Sequence, residues 1–457
     1  MRFRFVSLTA AFAFLSSGVL THNASAENWP NWRGPSYNGS TTETGLPTEF
    51  STTKNVRWTA DIGGQGASTP VVWGDKIFLT SATNNEADPT GTDGMMRAVC
   101  IDAKSGDPSW QIELTGRTMF DNRSNTASPS AATDGKTVVF FFGDGTLLAT
   151  DLNGGQLWQT RLTPKEHYFS FLWTFASSPL LLDGKIYLPI LQRDNSFNQN
   201  GIQRGPKGAK DNQSYLLCIN AADGKELWRA NRPSKAVAES LEAFGTVTPH
   251  EVDGKTQLII AGGDCLTGHD PSDGKELWRW GTWNPERIGH WRLVPTPVAG
   301  AGVVVIPAPK KAPVFAVKLG GSGDLGKDGL AWQSDEDEAT SDVSSALFYQ
   351  GRFYLVDGDR REKALVCLDP KNGKTIWRGS LETKSKMEAA ATGADGKIYM
   401  VDHGGKVFVA QAGGDEFKLL HQVDMGDRAN DPARSPVVAA NGALLIRMGS
   451  KLYCIGN

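Results

Sequence analysis

The sequence has few cysteines, little charge imbalance and no long apolar run. Five cysteines stand in 457 residues and no two are adjacent, so a disulfide framework would leave one thiol over. The 47 basic and 50 acidic side chains leave a net charge of −3, which gives no basis for a nucleic-acid or polybasic membrane surface. The longest apolar stretch, Val6 to Leu20, is interrupted by small polar residues and falls short of the ~20 residues of a membrane span. No transmembrane segment and no nucleic-acid partner are therefore expected. Also missing are a spaced His pair, a Cys pair and a Gly-Lys-Ser/Thr after the glycine-rich run Gly320 to Gly326. No catalytic residue and no metal ligand is assigned.

The first 26 residues read as a secretory signal. Met1-Arg-Phe-Arg-Phe5 is a short basic start, an apolar run follows, and Ala24-Ser25-Ala26 is a small-x-small cleavage site. An exported protein, periplasmic or extracellular, is expected. No cysteine follows the cleavage point to carry a lipid.

One phrase is present in abundance. A small residue, then Asp or Asn, then a turn ending in Gly, with Trp four residues later, recurs as Cys100 to Trp110, Cys218 to Trp228, Gly268 to Trp278 and Cys367 to Trp377. A fifth copy, Ala149 to Trp158, is one residue shorter. Repeats spaced by about 40 to 50 residues indicate a propeller or solenoid. A Ser/Thr-Pro step followed by two strands about a Gly turn punctuates the first pattern, as in Ser68 to Leu79 and Ser178 to Leu188. Eight units result, starting near Pro70, Pro129, Pro179, Pro249, Pro297, Ser345, Ala390 and Pro436.

Seven of these units have a fourth strand, carrying Trp110, Trp158, Trp228, Trp278, Trp332, Trp377 and, in degenerate form, Phe417. The missing one is expected at the other end of the chain, where the Trp58 strand would complete the sheet of Ser435 to Ile455 and close the ring. The fold expected is thus an all-β, eight-bladed β-propeller over residues 55–457, preceded by a leader over residues 27–54. Trp58, Trp110, Trp158, Trp228, Trp278, Trp332 and Trp377 are read as blade-docking residues, since indoles spread around a ring cannot share one ligand. Cys100, Cys218, Cys367 and Cys454 hold equivalent places in different blades and read as small buried residues; Cys265 stands outside the pattern.

This phrase resembles that of the pyrroloquinoline-quinone-like propellers, in which it docks adjacent blades. Asn28 to Gly39 is similar to the leader that precedes the propeller in exported members. The resemblance implies two function classes: quinone-dependent dehydrogenases, with pyrroloquinoline quinone and calcium in the central funnel, and non-catalytic scaffolds of the BamB type. The chain departs from the first in lacking adjacent cysteines and a Glu, Asn and Asp constellation for calcium and base. It departs from the second in lacking the lipid-bearing cysteine.

Chemistry is expected on one face. In a propeller the links between blades and the turns between strands two and three share a side, and the long segments here are of those two kinds. Arg123, Asn125, His167, Trp173, Arg287, His290, Trp291, Arg292, Asn430 and Arg434 stand on such loops close to an innermost strand. Arg and Asn beside a Trp platform suit an anionic, planar or peptide-like ligand. Inter-blade capping would use the same residue types. Asp335 to Glu338 reads as a solvated acidic turn, Arg193 to Ser214 as a mobile surface loop and Gly320 to Gly326 as a loose turn before Trp332. The leading reading is a monomeric, non-catalytic scaffold binding a protein, peptide or small ligand on the long-loop face. A quinone-dependent oxidoreductase is the alternative.

Overall fold

The computed structural model describes residues 1, 27–84, 94–199, 201–281, 283–426 and 431–457. The expected signal segment lies outside the described residues save for its first. Eight antiparallel sheets follow one another: blade 1 spans 71–116, blade 2 132–161, blade 3 180–231, blade 4 248–280, blade 5 298–333, blade 6 347–381 and blade 7 392–424. Blade 8 joins residues 438–455 to Val56–Asp61 from the start of the chain, in the strand order expected for a closed ring. Trp58 pairs with Cys454 and Asp61 with Lys451.

The repeated phrase explains how the blades dock. Its Asp or Asn caps its own turn: Asp102 accepts from the backbone N–H of Lys104 and Ser105, Asp151 from Asn153 and Gly155, and Asp369 from Lys371. The chain then passes through a glycine with positive φ, 79° at Gly106 and 71° at Gly373, where an L side chain is strained. That glycine receives the Trp of the preceding blade. A Cβ on Gly106 would come within 2.6 Å of the Trp58 indole, and one on Gly373 within 2.3 Å of Trp332. The indole N–H then donates to the next blade, from Trp58 to Ala103 O at 2.9 Å and from Trp332 to Pro370 O at 2.7 Å. The small residue of the phrase lies across the strand pair from its Trp, as in Cys100 with Trp110, Cys218 with Trp228 and Cys367 with Trp377. All five cysteines are buried free thiols, and burial pushes those of Cys100, Cys218 and Cys454 up to about 11.

Three expectations require correction. Blade 5 has Lys318 where the phrase has its capping Asp, and Trp278 folds against Gly268 of its own blade and donates to Gln257 Oε1 at 2.7 Å. The glycine-rich run is not a loose turn: Gly323 and Asp324 add a parallel fifth strand to blade 4 beside Trp278 and Arg279. In blade 7 the register assigns the docking position to His421, opposite Val409, and not to Phe417. Phe417 packs back on Trp377, ring centroids 5.6 Å apart, while His421 meets Phe50 of the leader. Blade 8 has no phrase of its own between its third and fourth strands, because those strands come from opposite ends of the chain, and the leader fills the place. Residues 193–214 also carry structure: Phe197–Gln199 pairs with Ile202–Arg204, and Arg204 is buried with its guanidinium 5.1 Å from the Tyr168 ring.

The leader is built into the short-turn face. Trp29 pairs with Val72 of blade 1, Thr133 of blade 2 donates to Pro30 O, Phe348 of blade 6 donates to Asn38 O, and Ser40 bridges Gly393 of blade 7. Glu43 then accepts from the backbone N–H of Asn441 and Gly442 in blade 8. The Arg33 side chain is fully buried among these contacts and donates to the carbonyls of Asn38 and Ala346.

Candidate ligand-binding site at the channel mouth

On the opposite face the long links are laced one to the next. Asp121 Oδ1 accepts from the N–H groups of Arg123 and Ser124, while Oδ2 accepts from Thr174 N–H and Oγ1, tying the link after blade 1 to that after blade 2. Leu172 donates to Glu242 Oε1 on the next link, and Leu293, one link further, donates to Glu242 O. This lacing holds side chains over the central channel, a cavity of about 150 Å³ running from Arg123, Glu388 and Arg434 at the mouth to Trp32 of the leader.

At the mouth the Trp173 ring has the guanidinium carbons of Arg123 and Arg292 at 5.8 and 5.9 Å. Arg292 is braced by Glu239 at 2.7 Å. Phe244, Val294, Val343 and Ala176 form an apolar lining beside the Trp. Glu388 gathers basic side chains: His403 Nε2 lies at 2.9 Å, Arg434 Nε at 3.5 Å, Arg123 Nη1 at 3.7 Å and Lys386 Nζ at 4.0 Å. Burial works against its charge, but the His403 hydrogen bond and the charges of His403, Arg434 and Lys386 outweigh it and hold the carboxyl at about 2.

Of the residues expected here, Arg123, Trp173, Arg292 and Arg434 meet at the mouth. Asn125 is buried and shapes its own turn, accepting from Ala127 N–H at 3.0 Å; His167 is buried with Nδ1 donating to Tyr168 O. Arg287 donates to Lys235 O on the neighbouring link, His290 is exposed, and Trp291 packs against the core of blades 3 to 5. Asn430 lies outside the described residues. Glu388, Lys386, His403 and Phe244 were not singled out from the sequence. The signal that could have found three of them was the link after blade 6, Lys384-Ser-Lys386-Met-Glu388, and the Asp402-His403-Gly404 turn of blade 7, both short but on the long-loop face.

Two buried acids on the same face titrate in the opposite sense. Burial pushes Glu242 up to about 7 against the pull of Arg193, and Asp264 up to about 6 against the Asn284 amide. A carboxyl raised on folding stabilises most below its unfolded value and loses that contribution as pH rises through the folded one. Glu388 is lowered, so its contribution is lost below about 4.5 as pH falls towards 2. Thermal unfolding is therefore expected to show greatest stability near about pH 4 and to decline from there to about pH 7, and Glu242→Gln should flatten that decline. An alkaline limb unchanged in that variant would remove Glu242 as its cause.

A sequence profile of the outer membrane protein assembly factor BamB family matches residues 40–189, 210–325 and 322–456. The chain belongs to this family. Among curated relatives, a BamB of Nitrosomonas eutropha is 31% identical over 123 residues, 27% of each chain. A betaine aldehyde dehydrogenase of Agrobacterium fabrum is 28% identical over 158 residues, 34% of this chain and 27% of that one. The chain thus spans about a quarter of the length of these relatives. Among solved structures, a europium-containing methanol dehydrogenase superposes with a TM-score of 0.64 at 12% identity, covering 93% of this chain and 90% of that one. BamB from Moraxella catarrhalis gives 0.55 at 11% identity, covering 88% and 97%. A quinohemoprotein alcohol dehydrogenase of Comamonas testosteroni gives 0.62 at 11% identity, covering 94% and 81%. At such identities the likeness is one of fold, shared by scaffolds and by oxidoreductases.

A larger groove of about 730 Å³ opens between blades 8 and 1, lined by Arg57, Ile77, Ala103, Leu445 and Cys454. Its residues are those of the ring closure, away from the long links.

Proposed function

We propose that this BamB-family propeller is an exported, non-catalytic scaffold that anchors a protein or peptide segment at the channel mouth. The observation that carries the reading is Trp173 with two guanidinium groups within 6 Å of its ring, beside an apolar lining, at the mouth of the axial channel. Aromatic and Arg side chains in an apolar setting are the residue types that dominate binding energies at interfaces. The same face carries Arg434, Lys386 and exposed His290 at its rim, so a segment with acidic and aromatic side chains has partners for both.

Pyrroloquinoline quinone with calcium fits the residues present poorly. The cavity, about 150 Å³, is below the roughly 300–1,000 Å³ of sites for drug-sized molecules. No cluster of three His, Cys, Asp or Glu suited to a metal occurs among the described residues.

The test is site-specific photo-crosslinking in the native host, with the crosslinker at His290 on the long-loop face and at Asp183 on the short-turn face. Discrete protein adducts from His290 and none from Asp183 are expected, reduced when Trp173→Ala is added. Saturable binding of pyrroloquinoline quinone with calcium, accompanied by dye reduction with an alcohol or sugar, would overturn the scaffold reading.

A further inference from the structure

The Ser/Thr residues before the innermost strands form a hydrogen-bonded hoop around the channel. Thr69 N–H donates to Ser130 Oγ at 2.8 Å, Ser130 N–H to Ser178 Oγ at 3.0 Å, Ser178 N–H to Thr246 Oγ1 at 3.1 Å, Thr246 N–H to Thr296 Oγ1 at 2.9 Å, and Thr296 N–H to Ser345 Oγ at 2.9 Å. Each blade from the first to the fifth is thereby tied to the next. Blades 7 and 8 interrupt the hoop with Ala390 and Pro436.

The hoop leaves its own protons unused. A hydroxyl carries one O–H and two lone pairs. In Ser130, Ser178, Thr246, Thr296 and Ser345 a lone pair is taken by the neighbouring backbone, and no acceptor among the described residues takes the O–H. All five, with Thr69, line one cavity, and each is more than nine-tenths buried. Six O–H donors thus border a single narrow space, and a buried donor left unmade is costly.

Charge decides between water and an anion as the species that satisfies them. Below the channel the guanidinium of Arg33 stands 5.3 Å from the Trp32 ring, and Trp32 lines the cavity. Arg33 is 1% exposed, its Nε has no partner, and its Nη2 donates only to carbonyls. Burial holds its pKa down at about 9, and no carboxylate offsets that. Above the channel, Arg123 and Arg434 share the carboxylate of Glu388 with His403 and Lys386, the last of which also has Asp359 at 3.7 Å. Water would satisfy the hydroxyls and leave this positive field uncompensated; an anion answers both.

We propose that the axial channel is a binding site for one small monovalent anion, a free halide or the carboxylate of a larger ligand, held by the hydroxyls of Thr69, Ser130, Ser178, Thr246, Thr296 and Ser345 between the Arg33 and Arg123/Arg434 charges. The site shares Arg123 with the scaffold reading, but the hoop uses none of the Trp173 contacts, so Thr69→Val and Trp173→Ala test the two separately.

Bromide is the probe. Crystals of the full propeller soaked in sodium bromide should show one anomalous peak inside the hoop, and chloride-35 linewidths in solution should titrate with bromide as competitor. Thr69→Val is the clean variant, because Thr69 Oγ1 accepts no hydrogen bond among the described residues. It should weaken binding about tenfold, the worth of one hydrogen bond to a charge. Ala390→Ser extends the hoop into blade 7 and should tighten it. Displacement of bromide by millimolar acetate identifies a carboxylate-bearing ligand; resistance to acetate identifies a halide. The proposal fails if no peak forms in the channel, if bromide sits only against Arg123 and Arg434 at the mouth, or if Thr69→Val leaves the titration unchanged in a folded protein.

Discussion

A chain beginning at residue 63 is expected to aggregate rather than yield a folded monomer. The removed segment carries Val56–Asp61, the outer strand of blade 8, and leaves Lys451–Ile455 with an unpaired edge, a template for intermolecular pairing. It also removes Trp58, 8% exposed over Gly106, and loss of a buried Trp alone costs about 3–5 kcal/mol. The leader goes with it, taking Trp29 from Val72, Glu43 from Asn441 and Gly442, and Phe50 from His421. Against a typical total stability of about 5–15 kcal/mol, these losses leave nothing to hold the ring shut. Size-exclusion chromatography and circular dichroism of the truncated chain check this, with a peptide of residues 27–62 added in trans. Restoration of a monodisperse β-rich species by the peptide is expected. A stable monomer without it would show that the ring does not depend on this closure.

The second large effect is expected at Arg447, on the second strand of blade 8. Its guanidinium, 2% exposed, donates to Gly449 O at 3.2 Å and across the seam to Ser68 O at 3.1 Å and Thr80 O at 3.0 Å in the first blade and its approach. A Cβ on Gly66 would come within 2.6 Å of Nη2, so the chain entering blade 1 passes close against it. Burial lowers its pKa to about 10, and Asp431, whose Oδ2 accepts from Gly66 N–H at 3.2 Å, pulls it the other way. Arg447→Met fills most of the volume but strands the carbonyls of Ser68 and Gly449, Thr80 O keeping the Ser68 hydroxyl as donor, and removes the charge facing Asp431. A loss of about 3 kcal/mol in urea unfolding is expected, roughly a 150-fold change in the folded-to-unfolded ratio. Arg57, on the same seam, makes comparable contacts to Asn441 and Gly442 but is exposed, and Arg57→Met should cost well under about 1 kcal/mol. Equal effects of the two substitutions would contradict burial as the cause.

Both effects concern the seam, which was legible in the sequence because it follows from counting. Seven fourth strands for eight units, with a spare Trp58 strand at the start, leave one way to complete the ring, and the pairing of Trp58 with Cys454 is that way. The positions that misled have local causes. Phe417 looks like a weak Trp, but the bulge at Val409 and Ala410 puts His421 in the docking register. Gly320 to Gly326 looks like slack, yet it follows Lys318 in place of a capping Asp and supplies a strand beside Trp278.

The candidate site was legible only by half. Arg123, Trp173, Arg292 and Arg434 stood out as charge and aromatic surface on long links. Glu388 did not, because its link is short and a lone carboxylate carries no spacing signal; only Arg123 and Arg434 from other links and His403 from a turn of blade 7, joining Lys386 beside it, define it.

What the sequence by itself determined is what a repeat encodes within some fifty residues: the capped glycine turn, the small residue opposite its Trp, the number of blades and the partner of the spare strand. These are decided by local backbone conformation and strand pairing, and each copy states them again. What only the tertiary structure decided is everything that requires two blades or two ends of the chain at one place. The leader brings Trp32 and Arg33 beneath the channel, six separate Ser/Thr-containing links line it with hydroxyls, and Arg123, His403 and Arg434 meet Lys386 on Glu388. Trp32, Arg33 and the side chains around Glu388 share no period along the chain, and their convergence is a property of the ring.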